Sequence, residues 1–141
     1  MNTNRTQNKQ LPQDAVMQSV LYASDLRVGN YVLDIDDNVL SISEITKDYI
    51  SFNNCNLKSR YSKIKPIPLT EEWLFKFGFD FKKMKKHRKS YTPEHYNLNN
   101  FSLLISNKGY YVVSYIPVYI FFVHQLQNLY FALTGAELTV A

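Results

Sequence analysis

The chain has 141 residues, of which 45% are hydrophobic and 20% are charged, a composition typical of a folded globular protein of one domain. The single cysteine, Cys55, excludes an internal disulfide and a paired-cysteine zinc site. The first 13 residues lack the apolar core of a secretion signal, so we expect a cytoplasmic protein.

The N-terminal part of the chain predicts a tail followed by β-structure. Residues 1–22 are rich in Asn, Gln and Thr, and we predict a flexible tail there, followed by a single α+β domain over residues 23–141. Runs of apolar and β-branched residues at 31–35, 39–45 and 49–52 are separated by turn-prone sequences. These runs predict an antiparallel β-meander that curls into a small, partly open barrel.

A short central helix is predicted after the extended sequence IKPIP, since a residue before proline avoids the helical region. Thr70 is placed to cap this helix and Gly78 is placed to end it, with acidic side chains in its first turn. We expect Trp73, Leu74 and Phe77 to face the core.

Positive charge is concentrated between Lys82 and Lys89, where six of the 16 Lys and Arg lie and none of the 12 Asp and Glu. The rest of the chain has ten positive and twelve negative residues, a net charge of −2. The run lies in a basic connector at about residues 80–98, and we favour a solvated loop, which charge runs usually form. The alternative is a nucleic-acid site, in which cations neutralise phosphates and a tyrosine stacks on bases. Its candidate residues are Lys82, Lys83, Lys85, Lys86, Arg88, Lys89 and Tyr91.

The C-terminal part predicts a β-hairpin with strands near residues 101–106 and 110–116, then a strand over 118–122 and a terminal helix that ends at Gly135. Both sides of the second hairpin strand are apolar, so we expect both to be buried, with a homodimer or partner face as the alternative. That candidate face consists of Tyr111, Val113, Tyr115 and Tyr119. Pro117 and several polar residues interrupt this region, so we expect no membrane span.

Patterns for metal binding and catalysis are weak. Asp34, Asp36 and Asn38 match the first half of a calcium loop, but the later Gly and Glu positions do not match, so we predict a β-turn with polar side chains. The histidines lack ligand spacing, and we expect His124 to make a surface or capping hydrogen bond. We therefore predict no metal, no cofactor, no catalytic residue and no enzymatic activity.

Three sequence blocks, LRVGNYV, IKPIPLTEEWLFKFGF and VHQLQNLYFALTGAEL, lie in this order between residues 26 and 138. On these blocks the chain resembles a family of small uncharacterised proteins of Bacteroides-group gut bacteria and of their phages and mobile elements. The resemblance implies a phage or mobile-element context in the bacterial cytosol, and it implies no particular activity. The tail before Ser24 departs from the family pattern, and the family varies most after Gly78.

Together these features predict an α+β fold with an N-terminal β-meander, a short central helix and a C-terminal β-hairpin sheet capped by a terminal helix. The leading hypothesis is a non-catalytic binding protein of a phage or mobile element that targets a host protein, as an inhibitor or counter-defence factor. One alternative is a nucleic-acid-binding accessory protein, which uses residues 82–89 together with Lys58, Arg60, Lys63 and Lys65. An enzyme without a recognised motif is the other alternative.

Overall fold

The computed structural model describes residues 13–106, 110–114, 116 and 118–140. These residues form the α-helices α1 Gln13–Met17, α2 Glu71–Lys76 and α3 Val123–Thr134. They also form the strands β1 Tyr31–Leu33, β2 Val39–Ile45, β3 Tyr49–Phe52, β4 Cys55–Arg60, β5 Asp80–Lys82, β6 Lys85–His87, β7 Ser90–Thr92, β8 His95–Leu98, β9 Phe101–Ile105, β10 Tyr111–Val113 and β11 Tyr119–Ile120. The strands pair antiparallel and helices pack beside them, which confirms the predicted α+β class.

The N-terminal sheet is a four-stranded antiparallel meander in the order β1-β2-β3-β4. Because side chains alternate along a strand, one face of this sheet carries Val32, Ile42 and Ile50, all fully buried. A register shift in β2 between Ile42 and Glu44 interrupts its pairing with β3. Leu33 of β1 forms an isolated bridge with Lys65, on the chain that follows β4, but β1 and β4 do not pair, so the predicted meander forms without closing into a barrel.

The C-terminal sheet has five antiparallel strands in the order β11-β10-β9-β8-β5. Its strands β9 and β10 are the hairpin predicted from the sequence, and their connection at residues 107–109 lies outside the described residues. Strands β6 and β7 pair only with each other, as a separate two-stranded hairpin.

Residues 80–98, predicted as a connector, differ from that prediction because they supply two strands of the C-terminal sheet and the β6–β7 hairpin. Strand β5 pairs with β8, with Phe81 opposite Tyr96 and the two ring centroids 5.1 Å apart. Tyr96 is only 2% exposed. This aromatic pair anchors both ends of the charged segment to the sheet, a constraint that the charge pattern alone does not show.

The main hydrophobic core brings the three sequence blocks together. Trp73 and Leu74 of α2 are buried in it, as predicted, and the Tyr31 ring lies 5.6 Å from the Trp73 ring. The Val123 amide donates to the Ile67 carbonyl at 2.9 Å, which ties the segment before α2 to the start of α3. The blocks on which the family resemblance is based therefore contain residues that build the scaffold.

A buried polar network joins the N-terminal sheet to α3. The Gln127 side chain is 1% exposed, and its Oε1 accepts the Tyr31 amide hydrogen at 2.9 Å. Its Nε2 donates to the backbone carbonyl oxygens of Gly29 and Leu138, each at 3.0 Å. Asn30, also 1% exposed, donates to the same Oε1 at 3.4 Å. Both hydrogen-bonding ends of Gln127 are thus satisfied by groups distant in sequence.

The local helix signals act as predicted. Thr70 Oγ1 accepts the Trp73 amide at the start of α2, and Gly78 follows the helix with a φ of 90°. Gly135 ends α3 in the left-handed conformation, with a φ of 73°. Among the described helices, none has both the length and the apolar content needed to cross a bilayer.

Part of the segment predicted as a tail makes defined contacts. Ala15 of α1 is fully buried in a cluster with Phe121 and Phe122, and Leu21 is buried among residues of the N-terminal sheet. Residues 1–12 lie outside the described residues. Apolar side chains that are widely spaced in a polar sequence thus position residues 13–22.

Candidate nucleic-acid interface

The charge run comprises Lys82 at the end of β5, the link at residues 83–84 and the exposed antiparallel β6–β7 hairpin, and we call residues 82–92 together the basic hairpin. Its pairs are Lys85 with Thr92, Lys86 with Tyr91 and His87 with Ser90, so Arg88 and Lys89 form the connection between its strands. All residues from 82 to 91 are exposed. The predicted exposure of this segment is therefore confirmed, whereas its backbone is a hairpin instead of a loop.

The pairing register gives the basic hairpin two different faces. Directly paired residues of antiparallel strands point to the same side, so Lys86 and Tyr91 share one face. Lys85 and His87 point to the opposite face. One face thus combines a cation with an aromatic ring that is 59% exposed. Phosphate neutralisation and base stacking require this pair of groups on one surface.

The cations of the basic hairpin form no ion pair within the described part of the chain. The ion pairs among the described residues are Arg27 with Glu137, Lys65 with Asp37 and Lys76 with Glu72. None of them includes a residue of the basic hairpin. Residues 82–92 therefore hold six exposed positive charges without a carboxylate partner among the described residues, two before the β6–β7 pair and four within it, and they can meet an external anion.

A cleft of about 500 Å³ lies where the basic hairpin meets the C-terminal sheet. It is lined by Phe81, Lys82, Lys83, Lys85, Thr92, His95 and Asn97. Lys82 is directly opposite His95 in the β5–β8 pairing. Ammonium, hydroxyl and amide donors on one concave surface suit the oxygens of a phosphate group.

Two apolar side chains of this region were missed by the sequence analysis. Phe81 is 36% exposed and Met84 is 46% exposed, beside the cations. Isolated exposed apolar residues are common on proteins. Here Phe81 lines the cleft together with Lys82 and Lys83, and the positions of Phe81 and Met84 on both sides of these two lysines are visible in the sequence.

The predicted partner face does not form one surface. Val113 is buried in the main core, and Tyr111 packs against that core. Tyr119 pairs with Val112 in the sheet, so it points to the opposite side and is 39% exposed. Tyr115 lies outside the described residues. The register between β10 and β11 places Tyr119 on the side of the sheet opposite to Tyr111 and Val113, so these residues cannot form the predicted face together. Partner binding itself stays a prediction.

The polar groups of the turn at residues 34–38 form hydrogen bonds within the turn. Asp34 Oδ1 accepts the amides of Asp36 and Asn38 at 2.8 and 2.9 Å, and the Asp37 amide donates to the Asp34 carbonyl at 3.2 Å. Hydrogen bonds from Asn38 hold the pKa of the Asp34 carboxyl below its usual range. The predicted β-turn is confirmed. Among the described residues, no group of three His, Cys, Asp or Glu is arranged to hold a metal ion.

His124 differs from the prediction of a surface histidine. It is 3% exposed, its ring stacks on Phe122 at 5.9 Å, and its Nδ1 has no hydrogen-bond partner in the described part of the chain. Burial lowers the pKa of His124 to about 4, although the nearby Asp25 carboxylate acts in the opposite direction. The imidazole is therefore neutral at pH 7. The predicted surface position is wrong because the first turn of α3 faces inward.

Comparison of the chain with models of protein families, with curated proteins and with solved structures finds no match. The interpretation of the basic hairpin therefore depends on its own geometry and charge. The relevant features are the exposed cations, the Tyr91 ring on the same hairpin face as Lys86, and the cleft where the basic hairpin meets the C-terminal sheet.

Proposed function

We propose that the protein binds single-stranded nucleic acid through the basic hairpin, without catalysing a reaction. The observation that supports this proposal is the set of six exposed cations, unpaired among the described residues, on a hairpin that also presents Tyr91. Phosphates release condensed counterions when such cations bind them, which drives association independently of sequence.

The contact geometry favours a single strand over a duplex. Exposed Tyr91 and Phe81 offer rings on which unpaired bases can stack, and such stacking contributes about 1–3 kcal/mol per base. The hairpin has one arginine, Arg88, and bidentate arginine contacts to guanine are the commonest means of reading a duplex. A strand that crosses the cleft can place a phosphate near Lys82 and Lys83 while a base reaches the Phe81 ring, which lines the same cleft.

The salt dependence of binding provides a quantitative test. If all six cations contact phosphates, the logarithm of the association constant should fall with the logarithm of salt concentration with a slope of about −4, from roughly −0.7 per contact. A fluorescent 20-nucleotide DNA or RNA strand, titrated with protein at several salt concentrations and followed by anisotropy, measures this slope.

Two triple variants separate a local site from a general charge effect. Changing Lys82, Lys83 and Lys85 to Gln should reduce the slope by about 2 units. The matched control changes Lys58, Arg60 and Lys63 to Gln, which alters the net charge equally. The sequence-based hypothesis added these residues to the nucleic-acid site, but Lys58 and Arg60 belong to β4 of the other sheet. We therefore leave them out of the proposed interface and expect the control to retain the slope.

A substitution at Tyr91 tests the stacking contact. Tyr91→Ala should weaken binding about tenfold or more, whereas Tyr91→Phe keeps the ring and should bind as the wild type does. The proposal is rejected if the wild type shows no salt-dependent binding at low ionic strength, or if both triple variants lose affinity equally.

The other functional hypotheses stay predictions. A phage or mobile-element setting and the targeting of a host protein are supported by the family resemblance alone. The face predicted for a partner is divided between Val113 in the core and exposed Tyr119 on the opposite side, so its residues do not make one docking surface. The basic hairpin is for this reason the surface on which we base the proposed function.

A further inference from the structure

One side of the C-terminal sheet points away from the main core and carries polar side chains. Tyr96 of β8 and Leu103 of β9 are paired and buried in the main core. Because side chains alternate along a strand, their neighbours His95, Asn97 and Ser102 point to the opposite side. All three are partly exposed. We call this side the outer face of the C-terminal sheet.

Two cavities adjoin on the outer face. One is the cleft of about 500 Å³ beside the basic hairpin, which has three lysines in its lining. The other measures about 490 Å³ and is lined by Thr92, Pro93, His95, Ser102, Leu104 and Ser114. Thr92 and His95 line both cavities, so a chain-like ligand that enters the cleft can continue past His95 toward the two serine hydroxyl groups.

A hydrogen bond determines which ring nitrogen of His95 can accept from a ligand. His95 Nδ1 lies 2.9 Å from the Pro93 carbonyl oxygen. A carbonyl oxygen can only accept, so Nδ1 carries the hydrogen, and Nε2 of the neutral ring is an acceptor. Nε2 makes no hydrogen bond in the described part of the chain. Among the described side chains, the buried polar atom without a partner is His124 Nδ1, so the unpartnered Nε2 of His95 is accessible to a ligand.

The charges around His95 determine which part of a nucleotide meets this nitrogen. Lys82 is directly opposite His95, and the Cβ atoms of such pairs are about 4.5–5.5 Å apart. A phosphate bound by Lys82 therefore places its own sugar near the imidazole ring. Asp80 is opposite Asn97 on the same face, and its carboxylate repels a phosphate from that end of the row. In RNA, the sugar has a 2′-hydroxyl group that can donate a hydrogen bond.

We propose that the site binds single-stranded RNA in preference to DNA, because His95 Nε2 accepts a hydrogen bond from a ribose 2′-hydroxyl while Lys82 holds the adjacent phosphate. This preference rests on the proposed nucleic-acid function and specifies its ligand. A DNA strand lacks the hydroxyl and leaves Nε2 without this contact. The rest of the basic hairpin does not select the sugar, since its cations bind phosphates and Tyr91 stacks on bases, which both nucleic acids contain.

Three probes with the same bases isolate the sugar. They are 20-nucleotide strands of adenine and cytosine as RNA, as DNA and as 2′-fluoro RNA, which keeps the sugar shape of RNA but has no 2′ donor. Fluorescence anisotropy at one fixed salt concentration measures their binding to the full chain. We expect RNA to bind about three- to tenfold more tightly than DNA, from one hydrogen bond, and 2′-fluoro RNA to bind as DNA does.

A pair of substitutions at His95 tests the contact atom. His95→Asn places an amide nitrogen near the position of Nδ1 and keeps a donor for the Pro93 carbonyl, but it has no acceptor at the position of Nε2. It should abolish the preference for RNA while the affinity for DNA, the salt slope and the urea unfolding midpoint stay as in the wild type. His95→Gln reaches the position of Nε2 with an amide oxygen and should keep part of the preference. Tyr91→Ala is the control, which should weaken binding of RNA and DNA by the same factor.

The results distinguish this preference from the proposed function. Salt-dependent binding of RNA and DNA with equal affinity would overturn the preference and leave the proposed function intact. Binding of 2′-fluoro RNA as tightly as RNA, or a full preference for RNA in His95→Asn, would also overturn it. Absence of salt-dependent binding to all three strands would reject the proposed function itself, and the preference with it.

Discussion

Replacing Gln127 with Leu tests whether the buried polar network holds the N-terminal sheet on α3. Leu has a similar volume and fills the site, so packing is largely retained while the hydrogen bonds are lost. Three backbone groups lose their side-chain partner: the Tyr31 amide and the Gly29 and Leu138 carbonyls. The substitution therefore isolates polar satisfaction from apolar packing.

The expected loss of folding stability is large because a Leu side chain cannot form hydrogen bonds with these three backbone groups. The Leu138 carbonyl is in a buried hydrogen bond, and a buried group left without a partner costs about 1–3 kcal/mol. The Tyr31 amide and the Gly29 carbonyl are in partly buried hydrogen bonds, so water can replace part of what they lose, and we expect a total loss of about 2 kcal/mol. This is a substantial part of the roughly 5–15 kcal/mol by which typical domains are stable. With a urea slope of about 2 kcal/mol/M, the unfolding midpoint should fall by roughly 1 M.

Urea unfolding followed by circular dichroism measures the midpoint, and hydrogen exchange at the Tyr31 amide reports the local bond. Ala132→Gln, at an exposed position of the same helix, is the control and should change stability by about 0.5 kcal/mol or less. A loss below about 1 kcal/mol for Gln127→Leu, with Tyr31 still protected, would refute the role we assign to the network.

Two further predictions concern α3. Burial lowers the pKa of His124 to about 4 from 6.5, so the unfolded chain binds a proton below pH 6.5 that the native chain does not accept until pH 4. Stability should therefore fall by about 3 kcal/mol as the pH decreases through this window, and His124→Leu should flatten that part of the pH–stability curve. An unchanged curve in the variant would contradict this account. Gly135→Ala forces a side chain into a φ of 73°, with open space around the new Cβ, so the cost of about 1–2 kcal/mol comes from the backbone alone. The melting temperature of Gly135→Ala should be several degrees below that of the wild type, and that of Gly135→Asn should lie between the two. Equal stability of Gly135→Ala and the wild type would contradict this account.

Part of the candidate site was predictable from residues adjacent in sequence. The six cations and Tyr91 follow from composition, and their exposure follows because ionised side chains are costly to bury. The hairpin was not predictable in the same way. Its first strand contains Lys and His in place of the β-branched residues that normally mark strands, and the pairing of Phe81 with Tyr96 spans 15 positions.

The local structure follows from residues that are close together in the chain. Thr70, Gly78 and Gly135 act on helix ends within a few residues, so their effects do not depend on the rest of the fold. The apolar runs of the meander likewise form strands whose neighbours are adjacent in the chain.

The burial of particular surfaces depends on packing between distant parts of the chain. The register of β10 with β11 separates Tyr111 from Tyr119, and the packing of α3 buries His124 beside a cavity. Such outcomes depend on which face meets which partner across long separations, and a shift of one residue in a strand reverses every side chain. Sequence periodicity shows that a face is apolar, whereas the structure shows what covers it.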